Sequence, residues 1–336
     1  MTLSQSEVVQ TIESLARMGL IARDERPALT RLTGGVSSLI VRADTERGTV
    51  CLKRALPKLR VAAEWRAPVE RNSSEVGWMK IAALVVPGSV PAILGEDRVA
   101  RAFAMAYLDP KSHPVWKTQL RDGIAEVSAA QSVATNLVAI HNATARNDDM
   151  ARAFANDTTF HSIRLEPYFA AAAHRHADSA HALHRLIDVT AHTKLALVHG
   201  DVSPKNILIG PQQPIFLDAE CAWYGDPAFD LAFCLTHLLL KCVWRPHTTR
   251  AFLQCFDALA ATYLAAVHWE PSTRLESRAV ALLAGMLLAR IDGKSPVEYI
   301  TEEGERERVR RFAKHALALP LRLVELRNAW AEDCQR

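Results

Sequence analysis

The chain has 336 residues, with 40 Lys and Arg against 37 Asp and Glu and a formal net charge of +3. That length can bury more than one compact core, and the near balance of charge, with no block of one sign, excludes the electrostatic footprint of a nucleic-acid or membrane-surface binder. Six cysteines, Cys51, Cys221, Cys234, Cys242, Cys255 and Cys334, include no Cys-x-x-Cys and lie mostly in apolar surroundings. They read as reduced thiols of a cytoplasmic protein.

The opening MTLSQSEVVQTIESLARMGLIARDE sets apolar residues at helical spacing without a continuous apolar stretch. This predicts a small packed helix and not a signal peptide. Residues 28 to 55 read as three strands, Leu29 to Leu32, Ser38 to Ala43 and Thr49 to Arg54. Between the first two, Gly34 and Gly35 allow backbone amides to approach a phosphate, and Ser37 can add a hydroxyl. The same residues also suit an ordinary hairpin turn. Lys53, in VCLKRA, is either a solvent-facing strand lysine or a cation for phosphate.

Arg71 to Leu84 predicts a helix, with Val76, Met79 and Ala83 at helical spacing and Asn72-Ser73-Ser74 as its N-cap cluster. Glu75 then falls in the first turn, either to orient Lys53 or to suit the helix dipole. Lys58 to Arg71, around Trp65, reads as irregular. Residues 90 to 109 read as two more strands ending in a connector, in which Met105 and Tyr107 are either core residues or neighbours of a nucleotide base.

From His113 the composition turns helical and alanine-rich. Ile124, Val127, Gln131, Ala134, Leu137, Val138 and His141 mark one face of a long helix, and Phe160 to Val189 supplies one or two more. His174, His176, His181 and His184 have no Cys or carboxylate companions at ligand spacing and read as a solvated face.

The densest chemistry lies between Leu197 and Asp230. Two apolar runs, Asn206 to Ile209 and Pro214 to Leu217, flank Gly210-Pro211-Gln212-Gln213 and predict a β-hairpin. The hairpin brings His199, Asp201 and Asn206, which precede it, to the same end as Asp218 and Glu220, which follow it. Asn206, Asp218 and Glu220 offer the hard oxygen donors that magnesium prefers. Asp201 is left to accept a proton from a substrate hydroxyl, and that pairing of base and metal is what phosphoryl transfer needs. Beyond Gly225-Asp226-Pro227, Ala228 to Trp244 reads as a helix apolar all round and therefore buried. Its greasy run is interrupted by His237 and Lys241 and is too short to cross a bilayer. Later, Arg290 to Pro296 has the glycine and proline of a helix stop.

HGDVSPKN, a strand and then DAE resemble the aminoglycoside phosphotransferase/choline kinase group of small-molecule kinases, which share the protein-kinase fold. Gly200 stands where protein kinases carry Arg, and Ala219-Glu220 where they carry Phe-Gly. LKRALPKLR, VPGSVP and DAECAWYGDPAFD are most similar to the methylthioribose kinase branch, which has Ser at the position of Asn206 and Pro at that of Ala219. The resemblance runs from Leu32 to Trp244.

It implies an α+β, bilobal protein-kinase-like fold. Residues 1-106 would form a nucleotide-binding lobe of antiparallel sheet plus helix, and residues 107-336 a larger, mainly helical lobe for catalysis and acceptor binding. It also implies ATP and Mg2+ as cofactors. Gly34, Gly35, Ser37, Lys53, Glu75, Met105 and Tyr107 would surround the nucleotide, Asn206, Asp218 and Glu220 the metal, with Asp201 as the catalytic base. Asp230 would accept hydrogen bonds from the loop that carries Asp201. Lys205 can neutralise a γ-phosphate or be a plain loop lysine. Arg164, Glu166, Tyr168, Trp223, Tyr224, Arg290, Asp292 and Lys294 can face the acceptor or serve packing and surface.

The expected function is transfer of the γ-phosphate to a hydroxyl of a polyhydroxy or amino alcohol, such as methylthioribose, an aminoglycoside or a choline-like compound. A monomer or homodimer with no nucleic-acid or membrane partner is expected. The competing class is a nucleotide-binding pseudokinase acting through partners, against which the intact Asp201, Asn206, Asp218 and Lys53 speak.

Overall fold

The computed structural model describes residues 2–32, 38–56 and 71–335. Gly34, Gly35, Ser37 and the stretch around Trp65 lie outside the described residues. Helix α1 (Gln5–Arg17) opens with a capping box, in which Ser4 Oγ accepts from the Glu7 N–H and the Glu7 carboxylate from the Ser4 N–H. Strands β1 (Ala28–Arg31), β2 (Ser38–Thr45) and β3 (Gly48–Ala55) lead to helix α2 (Arg71–Val85), followed by β4 (Ile93–Asp97) and β5 (Ala102–Ala106). All five strands pair antiparallel in the order β1-β2-β3-β5-β4.

Side chains alternate across β3. Val50 and Leu52 turn toward α1 in a small core with Leu15, Ile21, Ala102 and Ala104, which leaves Lys53 on the face that meets α2. The expected N-cap of α2 is not one: Arg71 is already helical, and Ser74 Oγ instead accepts from Asn156 Nδ2 at 3.0 Å. Glu75 therefore sits beyond the first turn of the described helix, where the dipole no longer explains a carboxylate. Val76, Trp78, Met79 and Ala82 of α2 join the large core of the helical part.

That part runs through α3 (Trp116–Arg121), α4 (Val127–Thr144), α5 (Asp148–Ala153), α6 (Asp157–Phe160), a π-helix (His161–Ala170), α7 (Ala171–Arg175) and α8 (Ala180–His192). Two expectations change. Ile124 precedes α4 and is exposed, as are Val127 and Gln131, so none of the three belongs to the buried face. Phe160 to Val189 is broken into several pieces, with Pro167, which has no N–H to donate, inside the π-helical one.

Strands β6 (Ala196–Val198), β7 (Ile207–Ile209), β8 (Pro214–Phe216) and β9 (Trp223–Gly225) form two ribbons, β6 with β9 and the expected hairpin β7 with β8. Helices α9 (Ala228–Trp244), α10 (Thr249–Ala265), α11 (Ser272–Asp292), α12 (Glu303–Leu317) and α13 (Leu323–Gln335) complete the chain. Helix α9 is buried through Val243 because α10 and α11 pack against it. No helix among the described residues is long and apolar enough to cross a membrane, and the six cysteines are unpaired.

The start of α9 is pinned electrostatically. Asp226 is fully buried, accepts from the Ala228 N–H at 3.0 Å, and pairs with Arg278 of α11 at 2.8 Å. Glu270 takes the other side of the same guanidinium at 2.6 Å. Removing one partner leaves a buried charge uncompensated, so Arg278→Met is expected to lower the unfolding free energy by about 3–5 kcal/mol. Urea denaturation measures this, and a loss of less than about 1 kcal/mol would mean that the pair does not hold α9.

Candidate active site

The loop from His199 to Asn206 is held from beneath by Asp230 in the first turn of α9. Asp230 Oδ2 accepts from the His199 N–H at 2.7 Å and Oδ1 from the Gly200 N–H at 2.8 Å. The resemblance implied this anchor. His199 Nδ1 accepts from the Asp201 N–H at 3.1 Å, so the ring proton resides on Nε2, which donates to the Leu217 carbonyl at 3.1 Å. Burial holds the imidazole pKa below its usual value despite Asp230 nearby, and the ring is neutral. Gly200 has φ +79°, and a Cβ there would come within 2.8 Å of Cys221 Cβ and its carbonyl oxygen. Only glycine meets both demands.

Above this base the loop presents Asp201. Its Oδ2 lies 3.0 Å from Arg164 of the π-helix and 3.2 Å from Lys205. Its Oδ1 is buried and has no hydrogen-bond partner among the described residues. A buried carboxylate oxygen left this way costs roughly 1–3 kcal/mol or more, and a donor arriving from outside relieves it. Asn206 Nδ2 donates to the Asp201 backbone carbonyl at 3.1 Å, which leaves the amide oxygen as the group available to a cation.

The hairpin then fixes what stands beside Asn206. Ile207 pairs with Phe216, and the Leu217 N–H donates to the Asn206 carbonyl at 2.9 Å, so Asp218 follows directly. Asp218 adopts φ +66°, a left-handed backbone that a non-glycine residue holds only where its surroundings enforce it. The described residues contain no cluster of three or more His, Cys, Asp or Glu able to hold a metal. The donor set that does fit a hard divalent ion is the Asn206 amide oxygen with the Asp218 carboxylate.

Lys53 reaches this point from the sheet. Its Nζ lies 2.7 Å from Glu75 of α2 and also pairs with Asp218. Burial alone would depress the ammonium, but Asp218, Glu75 and Glu220 outweigh it and its pKa is raised. Burial would raise Asp218 as well, yet Lys53 and Lys205 hold it below the usual carboxylate range. Glu75, the more enclosed of the two carboxylates, is pushed up by burial to about 7 against the pull of Lys53. Lys53 thus serves a buried carboxylate, Glu75, and a partly buried one, Asp218, which also feels Lys205.

Glu220 is engaged elsewhere: its Oε2 accepts from Arg71 Nε of α2 at 3.0 Å. Met105 pairs across the sheet with Cys51 and Ile93, and Tyr107, just past β5, lies against the Arg42 guanidinium at 4.8 Å. Neither takes part in the Lys53 ion pairs. Of the weaker acceptor candidates, Trp223 stacks on Phe160 at 4.2 Å in the core, and Tyr224 Oη donates to the Leu195 carbonyl. Asp292 is taken up by Arg310 and His176, and Glu166 pairs with Lys294.

The sequence profile of the phosphotransferase enzyme family matches residues 28–241. The chain belongs to that family. Methylthioribose kinase of Geobacillus thermodenitrificans is 26% identical over 281 residues, 74% of this chain and 68% of that one. Methylthioribose kinase 1 of Oryza sativa subsp. japonica is 23% identical over 224 residues, 58% of this chain and 52% of the rice protein, so the match spans about half of the latter's length. The crystal structure of a choline/ethanolamine kinase family protein from Mesorhizobium loti superposes with a TM-score of 0.54 over 97% of this chain and 100% of that one, at 17% identity. The fold is shared at that distance.

In this phosphotransferase-family member two contacts escaped sequence reasoning. Arg71 meets Glu220 across 149 positions, and Arg164, expected at most to face an acceptor, instead clasps Asp201. No local pattern could reveal either pairing. Asp230→Asn retains the size of the side chain but not two equivalent acceptors. It is expected to lower stability by about 3 kcal/mol and to speed hydrogen exchange at the His199 and Gly200 amides. Unchanged exchange at both would mean that Asp230 does not hold the loop.

Proposed function

We propose that this chain transfers the γ-phosphate of ATP to a hydroxyl of a small molecule, with Asp201 as general base. The observation that carries this reading is Asp201 Oδ1, a buried carboxylate oxygen without a partner among the described residues. It stands on the loop whose end, at Asn206, abuts the Lys53–Glu75–Asp218 cluster. Family membership supports phosphotransfer as the reaction class.

Arg164 and Lys205 hold Oδ2 of Asp201 and leave Oδ1 for the acceptor. The hydroxyl oxygen forms the new bond to phosphorus, its proton passes to Oδ1, and the bond to the β-phosphate oxygen breaks as ADP leaves. Lys53 exchanges Asp218 for the α- and β-phosphates while Glu75 retains it. Asn206 and Asp218 would hold magnesium, and Glu220, paired here with Arg71, would be a further candidate ligand. Magnesium supplies charge neutralisation on the phosphate oxygens. Residues 1-106 form the nucleotide lobe, in which Gly34, Gly35 and Ser37 bind phosphate and Met105 and Tyr107 flank the base, and residues 107-336 form the acceptor lobe. The unpaired cysteines suit a reducing, cytoplasmic setting, and the working unit is a monomer or homodimer.

The acceptor belongs among polyhydroxy or related small alcohols, and methylthioribose, named in the curated relatives, is the first to try. A pseudokinase has no use for an orphaned Asp201 oxygen, which favours the enzyme. Magnesium-dependent ADP release is expected with at least one acceptor of a sugar, hydroxy-acid and amino-alcohol panel. Asp201→Ala should then lower kcat by roughly 10²–10⁴-fold with ATP affinity unchanged. A kcat within about tenfold of the native chain would remove Asp201 from the role.

A further inference from the structure

Next to the Asp201 loop, α3, α9 and α11 border a narrow cleft with a cavity of about 20 Å³, lined by Lys117, Lys205, His237, Lys241, Arg290 and Glu298, with Tyr299 beside them. Four of these groups are cationic and one is anionic. Glu298 is largely exposed and already paired with Lys117. Of the remaining cations Lys205 reaches Asp201 at the edge of the cleft, and Lys241 and Arg290 pair with no carboxylate among the described residues.

Lys241 is the most informative. It is 1% exposed, and its Nζ lies 3.7 Å from the Tyr299 ring centre and 4.3 Å from that of Trp244, with no carboxylate paired to it among the described residues. Burial, with Lys117 and Arg290 adding to it, lowers its pKa to about 7. Two nitrogens beside it, His237 Nε2 and Arg290 Nε, are buried and have no hydrogen-bond partner among the described residues, while Arg290 Nη1 donates to the Ser295 hydroxyl at 3.1 Å. A structural cation in this protein looks different, as Arg278 is gripped by both Asp226 and Glu270. Buried cations and orphaned donors facing one hole are costly unless an anion enters it.

The cleft also touches the proposed chemistry. Lys205 lines it and reaches Asp201 Oδ2 at 3.2 Å. Arg290 and Arg164 lie over the same Tyr168 ring, at 5.6 Å and 5.7 Å. We infer that the phosphoryl acceptor is an anionic alcohol, a hydroxy carboxylate or a phosphorylated alcohol, whose charged group sits between Lys241, Arg290 and His237 while its hydroxyl meets Asp201 Oδ1. This rests on the phosphotransfer reading and narrows it: cationic aminoglycosides and choline-like amines are disfavoured by like charge, and methylthioribose, which carries no charged group, gives way to an anionic alcohol.

Calorimetric titration of the full chain, with magnesium and a non-hydrolysable ATP analogue, tests this on one carbon skeleton. The probes are glycerate, glycerol 3-phosphate, glycerol and 3-amino-1,2-propanediol. One or both anions are expected to bind at least about tenfold tighter than glycerol, and the amine no tighter than glycerol. The two anionic arms distinguish a carboxylate from a phosphate. Lys241→Met and Arg290→Met should each weaken the anions by about fivefold or more while nucleotide affinity holds. Lys241→Met should also keep or raise Tm, because methionine fills the aromatic slot without a buried charge.

Equal binding of amine and anions, no preference over glycerol, or anion affinity unmoved in both variants would overturn the inference. Anion binding in a chain that transfers phosphate to no acceptor would overturn the phosphotransfer reading instead. Transfer to glycerol or the amine without anion preference would do the reverse.

Discussion

A single buried ammonium, Lys53 Nζ, joins the sheet to the helical part of the chain. It leaves β3, meets Glu75 on α2, and pairs with Asp218 beyond the β7–β8 hairpin. Each contact belongs to a different stretch of sequence, so all three must be in register for the charges to be satisfied. Helix α2 reinforces the junction twice: Trp78 lies edge-on to His199 with ring centres 4.7 Å apart, and Arg71 holds Glu220. The helix that orients the lysine thus also buttresses the loop that presents Asp201.

Buried charge is arranged hierarchically around this link. Asp230 and the Asp226–Arg278–Glu270 group are fully satisfied and act as scaffold. Asp201 is satisfied on one oxygen and bare on the other, and Lys53 serves two carboxylates at once. Arg290 Nε and His237 Nε2 have no hydrogen-bond partner among the described residues, and Lys241 rests on the Tyr299 ring with no carboxylate paired to it there. Because an unpaired polar atom in a low-dielectric interior is expensive, the unsatisfied groups mark where this protein expects something else to bind. Three of them, Asp201 Oδ1, His237 Nε2 and Arg290 Nε, lie at the Asp201 loop and the basic cleft beside it, while others, such as Arg54 Nε and Trp330 Nε1, lie elsewhere.

Much of this was legible in the chain itself, though unevenly. The hairpin was, because two short apolar runs around a Gly-Pro turn are a local signal, and with it the convergence of Asn206 and Asp218. The burial of α9 was, because a helix apolar all round has no face for water. The break-up of Phe160 to Val189 was not, since π-helical geometry around Pro167 leaves no periodic trace. Nor was the starting point of α2: Asn72, Ser73 and Ser74 carry capping chemistry, yet Ser74 uses its hydroxyl across to Asn156.

By itself the sequence determined the kinds of group at the site and their order along a short loop and hairpin, because neighbours in the chain cannot escape one another. It could not say which charge answers which. Arg164 to Asp201, Arg71 to Glu220 and Lys53 to Asp218 are pairings between distant segments, made by the packing of helices against strands. The same holds for the partners that are missing: His237 and Lys241 read as interruptions in a greasy helix until α3 and α11 enclosed them with Lys117 and Arg290. Only the assembled interior decides whether a buried charge is answered, since its energy depends on what surrounds it in space.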